Sequence, residues 1–386
     1  MRGRGRKERA LRLTGTLCVA ASAVLAACGD PVAPADREDP GAGPDPVPAP
    51  IDLSRAWATS TPEAEGFDPE LLGSVFADAA GAVPNIRALV AVRNGRLVEE
   101  AYFGGMHRDS AFDMRSVTKT VTALLVGLAS DRGLLDPEGL ITDWLPDPSL
   151  RSEHGGIRVR DLLTMTSGMQ WSDEEDFGPW VRSGRPVGYV LDLPIVAPPG
   201  RRFIYNTGGS HLLTVIVENV VEGSALEFAE RELLGPLGIG NKRWPVMQDS
   251  VIVGGAALAL RPRDAAKVGQ LLLQGGRSGS RQIISRSWVE AQIGRLVEVG
   301  DIGHVLRDAG YGYQTWSDRR GGGDDVSAFV LWGYGGQFVW VVPDRQLVVV
   351  AQTHWRGTGD HDGRQADAVA DLIVHRVIEA ARPIRR

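Results

Sequence analysis

Ser116 and Lys119 stand three residues apart in the sequence Ser-Val-Thr-Lys. In a helix this spacing puts both side chains on one face, so that the hydroxyl and the amine can form a hydrogen bond. A lysine amine that has lost its proton can act as a base for the serine, which then attacks an ester or amide carbonyl. The alternative is a serine that caps the helix and a lysine that is solvated one turn later.

Lysine is rare in this chain, which makes the lysine of the four-residue sequence Ser-Val-Thr-Lys, here called the tetrad, informative. Only Lys7, Lys119, Lys242 and Lys267 occur among 42 basic residues. Arginine stays protonated at any working pH, whereas a desolvated lysine can become neutral. Lys119 is therefore a candidate general base, although the tetrad alone leaves the capping alternative open.

A helix is predicted to begin directly after Ser116. Residues 117–129 place apolar side chains at positions i, i+3, i+4 and i+7, which is typical of a buried helix face. The partial positive charge at a helix N-terminus disfavours an ammonium and lowers the pKa of a lysine there. The free N–H groups of the first turn can stabilise an oxyanion.

The elements around this helix are predicted to be strands at both ends of the domain and helices between them. Asn94-Gly95 separates two β-rich segments and suits the positive dihedrals of a tight hairpin turn. Later strand patterns and a closing helix lie at residues 311–316, 328–332, 337–342, 347–353 and 365–381. We predict an α/β fold, an antiparallel sheet flanked by helices, with a mainly helical insertion over residues 134–282.

The N-terminus is predicted to direct export. Basic residues precede a short apolar stretch that ends in Leu25-Ala26-Ala27-Cys28, which resembles the bacterial lipobox in which the cysteine is lipidated. Residues 1–27 are therefore predicted to be a lipoprotein signal peptide, with an ordinary cleaved signal or an uncleaved anchor as alternatives. Residues 28–52, rich in Pro, Asp and Gly, are predicted to be a disordered tether between the membrane and a catalytic domain over residues 53–386.

Composition argues against several function classes. The formal net charge of -6 gives no general attraction for nucleic acid. Cys18 lies inside the predicted signal, so the mature chain lacks a thiol pair for a disulfide or a cysteine metal site. The seven histidines have no ligand spacing, and we predict no metal.

Further motifs follow the tetrad in a fixed order. They are Leu-Leu-Thr-Met-Thr-Ser-Gly-Met at 162–169, Phe-Ile-Tyr-Asn-Thr-Gly at 203–208, and Gly-Tyr-Gly-Gly-Gln at 333–337. Over about residues 54–378 the chain resembles the penicillin-recognising serine hydrolase superfamily, in its β-lactamase-related branch. That branch includes class C β-lactamases, D-alanyl-D-alanine carboxypeptidases, family VIII esterases and 6-aminohexanoate-dimer hydrolases.

The resemblance implies a β-lactamase/transpeptidase-like fold and an acyl-enzyme mechanism that needs no cofactor. Ser116 would be the nucleophile and Lys119 the base. Tyr205 would be a proton relay whose pKa is lowered by the nearby lysine. The backbone N–H groups of Ser116 and Gln337 would form the oxyanion hole.

Two motifs depart from the family pattern. Thr207 stands where an asparagine is usual, and the adjacent Asn206 is an alternative substitute. Tyr334-Gly335-Gly336 replaces a motif on the sheet edge strand that normally begins with a cation, and a glycine bulge at a strand start is its alternative reading. We expect these residues to contact the substrate: Thr207, Tyr334, Gly335 and Gly336.

The missing cation bears on the substrate because in the family it helps to bind the substrate's carboxylate. Its loss favours a small ester or a linear amide over the substrates of a β-lactamase or D-alanyl-D-alanine carboxypeptidase. Trp171, Trp180, Trp316 and Trp332 either line an acyl pocket or belong to the core. The rival from another class is a non-catalytic lipoprotein that binds the cell wall.

Overall fold

The computed structural model describes residues 48–320, 328–356 and 363–382. The predicted signal peptide, Cys28 and most of the predicted tether lie outside the described residues. Within the described ranges, no helix is both long enough and apolar enough to cross a membrane.

An eight-stranded antiparallel sheet organises the described chain. The strands in chain order are β1 (Ile86–Arg93), β2 (Arg96–Tyr102), β3 (Phe112–Asp113), β4 (Lys242–Arg243), β5 (Ala259–Leu260), β6 (Arg277–Ser278), β7 (Arg281–Gln282), β8 (Val297–Ile302), β9 (Leu306–Tyr311), β10 (Trp316–Asp318), β11 (Ala328–Gly333), β12 (Gln337–Val342) and β13 (Leu347–Thr353). The large sheet has the order β2-β1-β13-β12-β11-β10-β9-β8, while β3-β5-β4 and β6-β7 form small separate sheets.

Helices cover the sheet and fill the middle of the chain. They are α1 (Pro69–Ala82), α2 (Val117–Asp131), α3 (Val159–Leu163), α4 (Phe177–Arg182), α5 (Pro186–Asp192), α6 (Thr207–Val220), α7 (Ala225–Ala229), α8 (Pro262–Leu273), α9 (Arg286–Ile293) and α10 (Arg364–Leu372). Single π-helical turns extend α7 and α10, over Glu230–Leu234 and Ile373–Ile378. Short 3₁₀ turns lie at Ile141–Asp143, Ser152–Gly156 and Pro343–Arg345.

The predicted hairpin is confirmed. β1 and β2 pair with Arg93 opposite Arg96, and the two turn residues adopt positive φ angles of 51° at Asn94 and 73° at Gly95. These dihedrals match the twist of the flanking strands, which is why this dipeptide favours two-residue hairpins.

Both faces of the sheet are buried, as the alternation of side chains along β13 shows. Val348 and Val350 belong to the apolar cluster that contains α2 and α8, whereas Leu347 and Val349 belong to the cluster that contains α1 and α10. Successive side chains of a strand point to opposite faces, so one strand contributes to two cores. The helices therefore form a layer on each side of the sheet.

Most of the regular secondary structure over residues 134–282 is helical, but the last long helix of this segment belongs to the sheet body. α8 lies so close to the sheet that a Cβ added at Gly269 would come within 2.7 Å of Val339 and 3.0 Å of Val348. A helix face of small residues permits this approach. The insertion predicted over residues 134–282 therefore includes α8, a helix that packs directly on the sheet.

The strand predicted at residues 311–316 is wrong. β9 ends at Tyr311 and β10 begins at Trp316, and the residues between them form a turn in which Gly312 N–H donates to the Thr315 carbonyl at 2.9 Å. Gln314 has a φ of 54°, in the left-handed region, and this breaks the extended conformation. The aromatic residues that suggested one strand lie at the ends of two.

Gly269→Ala should lower the free energy of unfolding by about 1–3 kcal/mol, because the added methyl group overpacks the contact between α8 and the sheet. Gly73→Ala is the matched control: it lies inside α1 with no atom within 4 Å of an added Cβ. That substitution should raise the free energy of unfolding by about 0.5–1 kcal/mol through helix propensity. Urea unfolding of both variants measures the difference, and equal effects would contradict the close packing of α8.

Candidate active site

Ser116 directly precedes α2, at the end of a segment that is fixed on both sides. The Met114 N–H donates to the Leu258 carbonyl at 2.9 Å, and the Arg115 N–H donates to Asp113 Oδ1 at 2.8 Å. Arg115 has a φ of 51°, an uncommon left-handed value for a bulky residue. Such backbone strain persists where the surroundings hold it, and here it precedes the candidate nucleophile.

Lys119 points from the first turn of α2 into the interior, with 1% of its surface exposed. Its Nζ lies 2.9 Å from Ser116 Oγ, 2.9 Å from Thr207 Oγ1 and 2.7 Å from the Gly255 carbonyl oxygen. Ser116 makes no capping hydrogen bond through its side chain. The alternative of a capping serine and a solvated lysine is therefore wrong.

Burial lowers the pKa of Lys119 from 10.5 to about 7. Desolvation is the largest cause, because an ammonium without water loses its hydration free energy. The charge of Arg115 lowers the pKa further, and the charge of Asp173 raises it. The predicted direction of the shift is confirmed, but removal from water contributes more than any neighbouring charge.

The loop before β5 supplies one of the acceptors for Lys119. Thr122 Oγ1 donates to the Gly254 carbonyl at 2.7 Å, which fixes this loop along α2. A Cβ at Gly255 would lie 2.6 Å from the carbonyl oxygen of Thr207, so only glycine permits this approach of the two backbones. The close contact brings the Gly255 carbonyl and the Thr207 hydroxyl to the same amine.

Tyr205 lies over the amine, with Lys119 Nζ 4.8 Å from the centre of its ring. The ring stacks on Trp316 at a centroid distance of 5.8 Å. Burial, followed by the charge of Asp173, raises the pKa of Tyr205 well above its ordinary value, and a hydrogen bond with Ser116 opposes that rise. The expectation of a lowered pKa is wrong, since a buried phenolate would be poorly solvated. Tyr205 is a neutral phenol beside Ser116.

The two candidate substitutes for the usual asparagine have different roles. Asn206 caps α6, accepting the Gly209 N–H at 2.7 Å through Oδ1. Thr207, one residue later, contacts Lys119 and donates from Oγ1 to Asp173 Oδ2 at 3.0 Å. Thr207 therefore takes the place at the amine.

Sequence reasoning missed Asp173. Its carboxylate accepts from Thr207 and, through Oδ1, from Trp171 Nε1 at 2.5 Å. Asp173 is the first of four consecutive acidic residues, a pattern that predicts a solvated loop. No motif spacing distinguishes it from the other three. Trp171, two residues earlier, is the one local indication of a buried contact, because an indole N–H needs an acceptor when it is buried.

The third motif forms a turn rather than a strand. Tyr334-Gly335-Gly336 connects β11 and β12, which are interior strands of the sheet and not edges. Both glycines have positive φ angles, 74° and 86°, which a tight turn requires and other residues rarely adopt. The predicted placement on the sheet edge strand is therefore wrong.

Gln337 begins β12 and pairs with Gly333. Its side-chain amide is fully buried and bonds to Thr353, donating to Oγ1 at 2.7 Å and accepting the backbone N–H at 3.1 Å. Gly333 lines the cavity that contains Ser116. The role of the Gln337 N–H in an oxyanion hole remains a prediction.

Two cavities meet at Ser116, Asp173 and Tyr334. The first, of about 360 Å³, has a mainly apolar lining that includes Tyr205, Ile302, Trp316, Trp332, Tyr334 and Gly335. The second, of about 460 Å³, is more polar and is lined by Arg115, Glu174, Phe177 and Thr207 among others. Of the four tryptophans considered above, Trp316 and Trp332 line the first cavity. Trp171 and Trp180 pack edge to face in the core at 5.8 Å.

This sheet, the helical layers and the serine–lysine pair at the start of α2 define a β-lactamase-related serine hydrolase. Residues 76–373 match the Beta-lactamase protein family. The chain belongs to that family and is a hydrolase.

Comparison with individual proteins agrees with this assignment. The chain is 25% identical over 348 residues to the 6-aminohexanoate-dimer hydrolase of Paenarthrobacter ureafaciens, covering 84% of this chain and 82% of that protein. Its fold is similar to that of the octameric penicillin-binding protein homologue from Pyrococcus abyssi, with a TM-score of 0.65 and 19% identity over 81% of this chain and 78% of that one. It is also similar to a hydrolase with promiscuous acyltransferase activity, with a TM-score of 0.65 and 16% identity over 79% of this chain and 97% of that one.

The pH dependence of hydrolysis should report the titration of Lys119. Because the base must be neutral, kcat/KM should fall about tenfold per pH unit below a pKa of about 7 and be level above it. Steady-state rates with a p-nitrophenyl ester, corrected for spontaneous hydrolysis, measure this profile. Lys119→Arg keeps a cation but removes the candidate base, and this variant should be inactive at every pH. A wild-type rate independent of pH between about pH 5 and pH 9 would contradict the assignment.

Proposed function

We propose that this protein cleaves an ester or a linear amide through an acyl-enzyme on Ser116. The observation that carries the proposal is the fully buried Lys119 amine, which lies 2.9 Å from the Ser116 hydroxyl and has a pKa of about 7. A base with a pKa near the working pH is at its most effective.

In the first step, neutral Lys119 takes the Ser116 proton while Oγ forms a bond to the substrate carbonyl carbon. The charge that develops on the carbonyl oxygen is stabilised by the backbone N–H groups proposed for the oxyanion hole, those of Ser116 and Gln337. Tyr205, a neutral phenol, is suited to give its proton to the leaving group. The Lys119 ammonium replaces that proton, and the alcohol or amine departs.

In the second step, water attacks the acyl-enzyme. Lys119, again neutral, accepts a proton from the water as its oxygen bonds to the acyl carbon, while Tyr205 remains a neutral phenol. Collapse of the tetrahedral intermediate breaks the bond to Ser116 Oγ, which regains its proton, and the free acid leaves. The protein groups in both steps are the side chains of Ser116, Lys119 and Tyr205 and the two backbone N–H groups.

The lining of the first cavity supports an acyl group without a negative charge. Among the described residues that line the first cavity, Asp173 is the only charged one, and the walls are aromatic or aliphatic. An anionic substrate group there would gain no partner and would be repelled by the carboxylate. The 6-aminohexanoate-dimer hydrolase named above also supports a linear amide as substrate class.

One observation favours a second candidate, a β-lactamase or peptidase that recognises a carboxylate. Arg115 lines the second cavity, where a guanidinium could pair with such a group. The guanidinium already stacks on Trp355 at 4.2 Å, however, and Asp173 and Glu174 line the same cavity. These opposing charges make the ester or linear amide the stronger candidate.

Turnover of p-nitrophenyl esters should exceed turnover of the β-lactam nitrocefin, because the first cavity offers no cation for the β-lactam carboxylate. Ser116→Ala should reduce ester turnover about a thousandfold or more, since it removes the atom that forms the acyl bond. A fluorophosphonate probe should label the wild type but not Ser116→Ala. Equal ester turnover by the wild type and Ser116→Ala would refute Ser116 as the nucleophile. A folded wild type that the probe does not label would favour the alternative of a non-catalytic lipoprotein that binds the cell wall.

We also propose that the protein is exported and anchored to a bacterial membrane through a lipid on Cys28. The lipobox-like sequence and the basic and apolar segments before it support this proposal. The anchor would hold the domain at the membrane by a polar, proline-rich tether.

Replacement of Cys28 by alanine should abolish incorporation of a clickable palmitate analogue in a bacterial host and move the protein from the detergent phase to the aqueous phase. Cys18→Ala is the matched control, because it removes the only other thiol of the chain while leaving the lipobox intact. That variant should be labelled like the wild type. Labelling of Cys28→Ala equal to that of the wild type would show that the lipid is attached at another residue.

A further inference from the structure

Asp173 and Thr207 form a hydrogen-bonded chain that ends at the catalytic amine. Asp173 Oδ2 lies 3.0 Å from Thr207 Oγ1, which lies 2.9 Å from Lys119 Nζ, which lies 2.9 Å from Ser116 Oγ. The direction of each hydrogen bond in this chain can be worked out from the number of protons available to each group.

The first link has one possible direction. A carboxylate has acceptor atoms only, and a threonine hydroxyl has a single proton. Thr207 must therefore donate that proton to Asp173. With its one proton donated to Asp173, the Thr207 hydroxyl can only accept a hydrogen bond from Lys119. The amine must therefore donate to Thr207 Oγ1.

The remaining links of the neutral amine follow. The Gly255 carbonyl, 2.7 Å from Nζ, is also an acceptor only. A neutral amine has two protons and one lone pair, and these two acceptors engage both protons. The lone pair is left for the third neighbour, the Ser116 hydroxyl, which must donate to it.

We propose that Asp173 is a positioning residue that, through Thr207, directs the lone pair of neutral Lys119 at the Ser116 proton. This inference rests on the proposed function of Ser116 and Lys119. The asparagine usual at the Thr207 position carries an amide with its own donor and acceptor. A threonine hydroxyl has no fixed direction of its own, and the carboxylate of Asp173 provides one.

The indole of Trp171 makes the proposal sharply testable. Trp171 Nε1 donates to Asp173 Oδ1 at 2.5 Å, so in Asp173→Asn the amide oxygen should face Trp171 and the NH₂ group should face Thr207. The NH₂ group would donate to Thr207, whose own proton would then turn towards Lys119. The lone pair that should accept from Ser116 would be occupied.

Asp173→Asn should therefore be more damaging than Asp173→Ala, although it is the closer in shape. We expect the plateau of kcat/KM at high pH to fall about a hundredfold in Asp173→Asn and about tenfold in Asp173→Ala. The plateau is the correct comparison because loss of the Asp173 charge also lowers the pKa of Lys119 in both variants. The rate of fluorophosphonate labelling should change in the same order.

Variants of Thr207, whose hydroxyl lies between Asp173 and Lys119, complete the test. Thr207→Ser keeps the hydroxyl and should retain most activity, while Thr207→Val removes it and should lose about tenfold or more. Adding Asp173→Asn to Thr207→Val should cause little further loss, because the inverted hydrogen bond cannot form without the hydroxyl. Glu175→Gln removes an exposed charge from the same acidic run and should stay within about twofold of the wild type.

The outcomes separate the possible failures. Thermal unfolding of each variant shows whether it is folded. Suppose that Asp173→Asn is folded and that its plateau of kcat/KM equals or exceeds that of Asp173→Ala, while Ser116→Ala is inactive. The positioning role of Asp173 is then refuted, and Ser116 remains the nucleophile. If Ser116→Ala is active, the proposed function itself fails. If Glu175→Gln loses as much as Asp173→Asn, the effect is one of general charge and the positioning role is also refuted.

Discussion

The arrangement of the active site depends on one constraint: a primary amine is buried where water cannot solvate it. Lys119 has 1% of its surface exposed, so each of its protons needs an acceptor from the protein. The acceptors come from separate segments, namely the hydroxyl of Thr207 at the start of α6 and the carbonyl of Gly255 in the loop before β5. The amine thus fixes two distant parts of the chain beside Ser116.

The same burial gives the lysine its chemistry. Desolvation brings its pKa to about 7, where a substantial fraction of the amine is neutral. Arg115 and Asp173 act on that pKa in opposite directions, and Tyr205 responds to the same environment with a raised pKa. Burial therefore makes a neutral amine accessible at Lys119 and keeps the Tyr205 phenol protonated, which suits the roles of base and donor proposed for them.

The glycine turn shows how the family site is altered in this protein. The turn between β11 and β12 presents Tyr334 and two glycines at the place where the resemblance led us to expect a cation-bearing motif on a strand. The site retains an aromatic cavity on one side of Ser116 and a polar cavity on the other. Charge in the polar cavity comes from Arg115, Asp173 and Glu174, which lie in two separate loops. The charged residues that face a substrate in this cavity therefore lie outside the ordered motifs.

Local sequence determined the elements whose formation depends on neighbouring residues. The Asn94-Gly95 turn and the helix after Ser116 follow from dihedral preference and apolar spacing, and the ordered motifs identified the family. Only the tertiary structure decided the partners of Lys119, the role of Thr207 over Asn206, and the place of Asp173 among four similar acids. Those choices depend on contacts between residues 34 to 136 positions apart, which no local pattern encodes. The raised pKa of Tyr205 was hidden for the same reason, since burial is a property of the packed chain.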